Sequence, residues 1–236
     1  MSKYTEPDHW SQKAQKEGYP ARSVYKLKEM DEKFRLLKNT RTGSSTFKIL
    51  DLGAAPGSWS LYLMRSLSSQ GSQSSQRERG GRRGDLLLVA VDLAPLSREY
   101  DQGLFDRAEF DFIQGDFTQG DVREAILSKG PYNLIVSDAA PATSGNRSLD
   151  TLRSLALGET ALEYAETALS PGGNLVIKVF QGGETGNLLK AIRCLFDSGK
   201  SYKPAACRSD SFETYYLGLG KKSGVRFQGD IVNSGH

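Results

Sequence analysis

The chain has 236 residues, of which 38% are hydrophobic and 25% charged, a composition typical of one globular α/β domain. The sequence has no apolar stretch long enough for a membrane helix, and its first ten residues lack the apolar centre of a secretory signal, which predicts a cytoplasmic protein. Cys194 and Cys207 form no CxxC motif, and His9 and His236 lie near opposite ends of the chain. This pattern argues against a metal site, a disulfide framework and histidine-activated nucleophiles.

The net charge of +3 is unevenly distributed along the chain. Residues 1–41 carry ten Lys or Arg and six Asp or Glu, a net +4, which leaves −1 for residues 42–236. Within the basic N-terminal segment, residues 1–46, the apolar spacing over Ala21 to Leu37 predicts an amphipathic helix. Its basic side could face a polyanion or simply water, and charge alone leaves both interpretations open.

Five apolar runs predict buried strands, and helical segments separate them. The runs are FKILDLG (47–53), LLLVAVDL (86–93), FDFIQGDF (110–117), YNLIVSDAAP (132–141) and GNLVIKVF (173–180). Helices are predicted at Trp59–Leu67 and Asp150–Leu169. Hydrophobicity within the runs is continuous, which indicates a doubly wound parallel sheet covered on both faces. TYYLGLGKK predicts a last, antiparallel strand at the edge of the sheet, and the Ser/Gly/Arg-rich residues 68–84 predict a disordered insertion loop.

The turn from Asp51 to Gly57 follows the first strand, where such sheets bind ligands. The GxGxxG fingerprint of dinucleotide sites is absent, which disfavours a nicotinamide dehydrogenase. Carboxylates lie at this turn and after the next two strands, at Asp51, Asp92 and Asp116. Such a set suits an ammonium group and ribose hydroxyls better than a pyrophosphate. The glycines let a ligand approach the backbone closely, and Trp59 could pack over it as a lid.

Five motifs in order, DLGAAPGSW, VAVDLAP, QGDF, SDAAPATSG and PGGNLVIKVFQG, resemble the FtsJ/RrmJ family of S-adenosylmethionine-dependent RNA ribose 2′-O-methyltransferases. The resemblance runs from YPARSVYKL to FETYYLGLGKK, about nine tenths of the chain. It implies a single methyltransferase domain over residues 1–236, with a Rossmann-like, mostly parallel seven-stranded sheet flanked by helices. It also implies that S-adenosylmethionine is contacted at Gly57, Trp59, Asp92, Asp116 and Asp138. Ser58 and Ala139 depart from residues common in the family.

The same resemblance implies a catalytic tetrad, which is matched by Lys26 in SVYKL, Asp138 in VSDAAP, Lys178 in VIKVF and Glu213 in FETYY. Lys178 interrupts an apolar run, where an unpaired lysine would cost several kcal/mol, so a role is expected for it. Crowding by Lys26 would favour a neutral Lys178 acting as a base, whereas the two carboxylates would favour its charged form. The sequence leaves both roles open. Without the resemblance, Lys26 and Glu213 fit an ordinary surface salt bridge.

The lysine-rich N-terminus and the SDAAPATSG loop resemble family members that act on large-subunit (23S) ribosomal RNA. This resemblance predicts that the protein methylates a uridine ribose, that it acts as a monomer, and that it does not bind a membrane. A tRNA anticodon-loop methyltransferase is the alternative of the same fold, and a non-catalytic RNA-binding module is the alternative of another class. Candidate RNA contacts, each of which could also be ordinary surface, are Tyr19, Arg22, Arg147, Arg208 and the loop 142–147.

Overall fold

The computed structural model describes residues 8–37, 46–73, 86–182, 185–208 and 211–225. The helices are α1 (His9–Lys16), α2 (Val24–Phe34), α3 (Ser58–Gln73), α4 (Gly120–Lys129), α5 (Arg147–Ala168) and α6 (Thr185–Leu195). The strands are β1 (Phe47–Leu52), β2 (Leu86–Asp92), β3 (Phe110–Gln114), β4 (Tyr132–Ser137), β5 (Leu169–Phe180), β6 (Phe196–Tyr202) and β7 (Glu213–Lys221).

These strands form one seven-stranded sheet in the order β3-β2-β1-β4-β5-β7-β6. The first five are parallel, while β7 runs antiparallel to both β5 and β6. The predicted mostly parallel α/β sheet is confirmed. The order reverses between β1 and β4, so the carboxyl ends of these two strands flank the crevice where doubly wound sheets bind ligands.

The prediction that the TYYLGLGKK strand lies at the edge is wrong, although its antiparallel direction is correct. β7 lies between β5 and β6, and β6 forms the edge. The sequence of β6, FDSGKSY, buries only Phe196. Because the rest of that segment is polar or small, it lacks the apolar pattern by which the other strands were recognised.

Two hydrophobic cores cover the two faces of the sheet, which explains the continuous apolar runs. Alternate residues of β1 face opposite cores, with Ile49 in one and Leu50 in the other. The first core contains α1, α2 and α3, and the second contains α5 and α6. The N-terminal helices are therefore part of the same packed body as the sheet.

The predicted helix over Ala21 to Leu37 is observed as α2, which ends where Arg35 adopts a left-handed conformation with φ 57°. Val24, Leu27 and Met30 of its apolar stripe are buried, and Phe34 is partly buried. The predicted loop 68–84 is partly wrong, because α3 continues to Gln73; residues 74–84 lie outside the described residues. In the described parts of the chain, no helix is long and apolar enough to cross a membrane.

Candidate active site

The turn after β1 and the loop after β4 touch each other at the crevice. Gly53 has φ +74°, and a Cβ added there would lie 2.5 Å from the Cα of Ala139. Gly57 has φ +106°, where a Cβ would lie 3.1 Å from the ring of Phe105. Any larger side chain at Gly53 would therefore collide with Ala139. At Gly57 a larger residue would be held in a strained backbone conformation. Because neither glycine has a side chain, the backbone of the turn can lie close to a ligand in the crevice.

Asp92, at the end of β2, holds the turn in place. Its Oδ2 accepts a hydrogen bond from the Ala55 N–H and its Oδ1 one from the Ala94 N–H, both at 2.9 Å. Asp116, two residues beyond β3, accepts from the N–H of Thr118 at 2.9 Å and from its hydroxyl at 2.8 Å. These donors stabilise the charged form and lower the pKa of Asp116. The predicted carboxylates thus lie at the carboxyl ends of neighbouring strands.

Asp51 is a fully buried carboxyl group in β1 beneath the turn. Its Oδ2 accepts a hydrogen bond from the Ser60 hydroxyl at 2.7 Å, while its Oδ1 has no hydrogen-bond partner among the described residues. Burial raises its pKa from 3.8 to about 7, and the nearby carboxylates of Asp138 and Asp92 add to the shift. A positively charged donor beside Asp51 would satisfy Oδ1 and favour the ionised form.

Trp59 is part of the hydrophobic core, which corrects the lid interpretation. It is only 2% exposed, and its Nε1–H donates to the main-chain oxygen of Ser23 at 2.8 Å. The indole also packs against Tyr215, with ring centroids 5.9 Å apart. A side chain held in this way cannot fold over a ligand as a lid. The predicted contact between the cofactor and Trp59, at the start of α3, stays a prediction.

Lys178 and Asp138 form an ion pair across the ends of β5 and β4. Nζ of Lys178 lies 3.0 Å from Oδ1 of Asp138 and also donates to the main-chain carbonyl of Asp138. Both side chains are largely buried, with relative exposures of 8% and 15%. These two contacts spare Lys178 the free-energy cost of a buried charge without a partner, and Asp138 supplies both of them.

Lys26 and Glu213 form a second ion pair beside the first. Nζ of Lys26, from α2, lies 2.6 Å from Oε1 of Glu213 at the start of β7, and the side chains are 12% and 11% exposed. Strand pairing places Glu213 opposite Phe180, two residues beyond Lys178 on β5. The structure therefore brings together all four residues of the predicted tetrad, and the pair Lys26–Glu213 is far more buried than an ordinary surface salt bridge.

Tyr215 connects the two ion pairs and was missed by sequence reasoning. It pairs with Lys178 across β5 and β7, and its hydroxyl donates to Oδ1 of Asp138 at 2.7 Å. Nζ of Lys26 lies 6.0 Å from its ring centroid. Burial, together with the charge of Asp138, raises the pKa of Tyr215 well above 10. The alternation of Glu213 and Tyr215 in ETYY was the available signal, since residues two apart share a face of a strand.

The fold and the carboxylate-lined crevice define the class of protein: a Rossmann-like, methyltransferase-type α/β domain. A solved ribosomal RNA methyltransferase (putative) from Plasmodium falciparum has the same fold, with a TM-score of 0.62 and 23% identity, covering 86% of this chain and 98% of that one. A class I S-adenosylmethionine-dependent methyltransferase (putative) from Listeria monocytogenes gives a TM-score of 0.53 at 13% identity, covering 94% and 65%.

Sequence comparison identifies the family. The model of the FtsJ-like methyltransferases matches residues 19–221. Two relatives are named ribosomal RNA large subunit methyltransferase E: that of Treponema denticola is 46% identical over 92% of this chain and 96% of its own, and that of Borrelia duttonii 41% identical over 89% and 94%. The chain belongs to the FtsJ-like methyltransferase family.

The crevice residues fit the cofactor that this family implies, S-adenosylmethionine. Gly53 and Gly57 leave room for an extended ligand against the turn. The carboxyl group of Asp51 is fully buried beneath the turn, where its ionised form would attract an ammonium group in the crevice, and Asp92 and Asp116 offer acceptors for hydroxyl and amine donors. Among the described residues, no cluster of His, Cys, Asp or Glu could hold a metal ion.

Proposed function

We propose that the protein transfers a methyl group from S-adenosylmethionine to the 2′-hydroxyl of a uridine in large-subunit (23S) ribosomal RNA. The observation that carries this proposal is the meeting of two buried ion pairs, Lys178–Asp138 and Lys26–Glu213, at the carboxyl edge of the sheet. The names of the relatives support the substrate. We further propose one methyltransferase domain over residues 1–236 that acts as a monomer on assembling large subunits in the cytoplasm.

The cofactor supplies an electrophilic methyl group on a sulfonium, and the protein must bring an oxygen into line with it. We assign cofactor contacts to Gly57, the main chain of Trp59, Asp92, Asp116 and Asp138. A ribose hydroxyl has a high pKa, so the oxygen needs a partner that controls its proton or orients its lone pair. Lys178 is the residue we assign to that task.

The contacts of Lys178 favour a charged amine that orients the oxygen. An ammonium group has three N–H donors, and Asp138 receives two of them through its carboxylate and its main-chain carbonyl. The third donor is left for the ribose 2′-oxygen, which would turn a lone pair towards the methyl group. The hydroxyl proton would be released to water as the methyl–oxygen bond replaces the methyl–sulfur bond. The Asp138 carboxylate, 3.0 Å from Nζ, also holds the amine in this orientation.

Lys26 and Glu213 hold the substrate ribose and its phosphate. Lys26 offers positive charge to a phosphate, and Glu213 offers an acceptor to a ribose hydroxyl. Tyr215 acts through Asp138, because its hydroxyl fixes the carboxylate that fixes Lys178. Lys178 and Asp138 thus act on the reacting oxygen, whereas Lys26 and Glu213 position the substrate nucleotide.

Transfer of labelled methyl groups from S-adenosylmethionine tests the proposal. The acceptors are unmodified large ribosomal subunits, naked large-subunit RNA and tRNA, each with wild type and with Lys178→Ala. Label in ribosomal RNA that the variant abolishes supports the proposal. Label in tRNA alone would overturn the substrate, and cofactor binding without transfer to any acceptor would favour a non-catalytic RNA-binding module.

A further inference from the structure

Two phenylalanines extend the face of the sheet that carries the ion pairs. Phe180 follows Lys178 by two residues on β5, so both side chains lie on the same face, and Phe180 pairs with Glu213 across the strands. The ring of Phe212, the residue before Glu213, packs against Phe180 with centroids 4.7 Å apart and planes at 58°. Neither ring belongs to the two cores formed by the described residues.

An arginine covers the outer ring. The guanidinium carbon of Arg147, at the start of α5, lies 5.0 Å from the ring centroid of Phe212. Arg147 is exposed and Phe212 is half-buried. The first part of α5 is held against this site because the Ser154 hydroxyl accepts a hydrogen bond from the Phe180 N–H at 3.0 Å. A ring and a guanidinium group are therefore presented together at the rim of the catalytic face.

Two basic residues lie close to this aromatic pair along the chain or in space. Exposed Arg208 precedes Phe212 by four residues, and its main-chain oxygen accepts a hydrogen bond from the Ser211 N–H at 3.1 Å. Lys26 lies on the other side of Glu213. Unpaired RNA bases stack on aromatic rings and on guanidinium planes, while their phosphates seek Lys and Arg.

We propose that Phe212 and Arg147 form a platform that stacks an unpaired RNA base within one nucleotide of the methylated ribose. Phe180 supports the ring from below. Phe180, which contacts Phe212, lies two residues beyond Lys178 on β5, and two residues of a strand span about 7 Å. The inference rests on the proposed function and adds a requirement that the target be unpaired.

The test uses a short single-stranded RNA oligonucleotide carrying 2-aminopurine, whose fluorescence is quenched when the base stacks. The variants are Phe212→Leu, which keeps an apolar side chain, Phe212→Trp, which keeps a ring, and Arg147→Ala. Arg123→Ala is the matched control, because Arg123, on α4, lies 5.0 Å from the ring centroid of Tyr164, which is near the end of α5 and not at its start, where Arg147 lies. Binding of S-adenosylmethionine and the melting temperature establish that each variant is folded.

We expect quenching with wild type and Phe212→Trp, and its loss in Phe212→Leu with RNA affinity about tenfold weaker, as for other base-stacking side chains. Arg147→Ala weakens RNA binding while Arg123→Ala does not. Unchanged quenching and affinity in Phe212→Leu would overturn the platform, as would a wild type that binds duplex RNA equally well. Quenching on wild type together with no methyl transfer to large ribosomal subunits or to naked large-subunit RNA would overturn the proposed function and leave the platform standing.

Discussion

The amine of Lys178 makes both of its contacts to a single residue, Asp138, through Oδ1 at 3.0 Å and through the main-chain carbonyl. The carbonyl is part of the loop after β4, so the position of Lys178 is tied to the backbone of the crevice. The carboxylate is held in turn by Tyr215. A change at Lys178 or Tyr215 should therefore affect how the substrate oxygen is held more than how the cofactor binds, whereas a change at Asp138 should affect both.

Lys178→Met keeps the length and apolar stem of the side chain and removes its charge. We expect kcat to fall by at least about 100-fold, because the group that orients the reacting oxygen is lost. Binding of S-adenosylmethionine, measured by calorimetry, should change little. A variant with near wild-type kcat would exclude Lys178 from the chemistry.

Lys26→Met and Glu213→Gln should each destabilise the protein, because each leaves the partner charge largely buried without its counterion. The double variant should cost less than the sum of the single ones, with a coupling of about 1 to 3 kcal/mol in the free energy of unfolding. The matched control is the pair Arg123–Glu163, which is 30% and 57% exposed and should show weaker coupling. If the effects of the single substitutions on the free energy of unfolding were additive at Lys26–Glu213, as at Arg123–Glu163, the result would contradict a buried Lys26–Glu213 ion pair.

Asp51→Asn should alter how stability depends on pH. The folded protein holds the Asp51 proton more tightly than the unfolded chain, because burial raises the pKa from 3.8 to about 7. The stability that the bound proton provides is complete below pH 3.8 and is lost as the pH rises to about 7. The free energy of unfolding of wild type relative to the variant should therefore fall across this range in cofactor-free protein.

Urea unfolding at several pH values measures the effect of Asp51→Asn. Glu109→Gln is the control, since Glu109 is exposed. A difference between wild type and Asp51→Asn that stays constant with pH, or grows in favour of wild type, would show that Asp51 is ionised in the folded protein.

Ser58→Gly should weaken the link between the cofactor turn and the N-terminal helices. The Ser58 hydroxyl accepts a hydrogen bond from the Ala21 N–H at 2.8 Å, three residues before α2, which carries Lys26. Loss of this bond should cost about 1 kcal/mol of folding free energy. Ser128→Ala serves as a control, because the Ser128 hydroxyl bonds locally at an exposed helix end. If Ser58→Gly and Ser128→Ala lowered the free energy of unfolding equally, the hydrogen bond between Ser58 and Ala21 would have no specific stabilising role.

Much of the sheet could be predicted because its buried strands have a strong local signal. The five apolar runs became β1 to β5, and TYYLGLGKK became β7. The polar strand β6 carries no such signal, so only its pairing with β7 identifies it. The helices α4 and α6 and the end of α3 at Gln73 were not anticipated either, because packing against the sheet determines them as much as local pattern does.

The site was partly predictable for a related reason. The family resemblance implied the set Lys26, Asp138, Lys178 and Glu213, which the structure brings together. Two of them, Asp138 and Lys178, could also be placed near each other from the ends of parallel strands. The predicted role of Trp59 as a lid was wrong, because sequence alone cannot distinguish a tryptophan that covers a ligand from one that is buried in the core. The orphaned oxygen of Asp51 and the bridge through Tyr215 are properties of three-dimensional packing.

The most direct test of the account is the position of the transferred methyl group on the RNA. Labelled large-subunit RNA from wild-type and Lys178→Met reactions is digested with alkali, which cleaves next to a free 2′-hydroxyl and not next to a methylated one. The account predicts label in alkali-resistant dinucleotides that contain uridine, and its absence with Lys178→Met. Label released in mononucleotides would place the methyl group on a base and contradict the account.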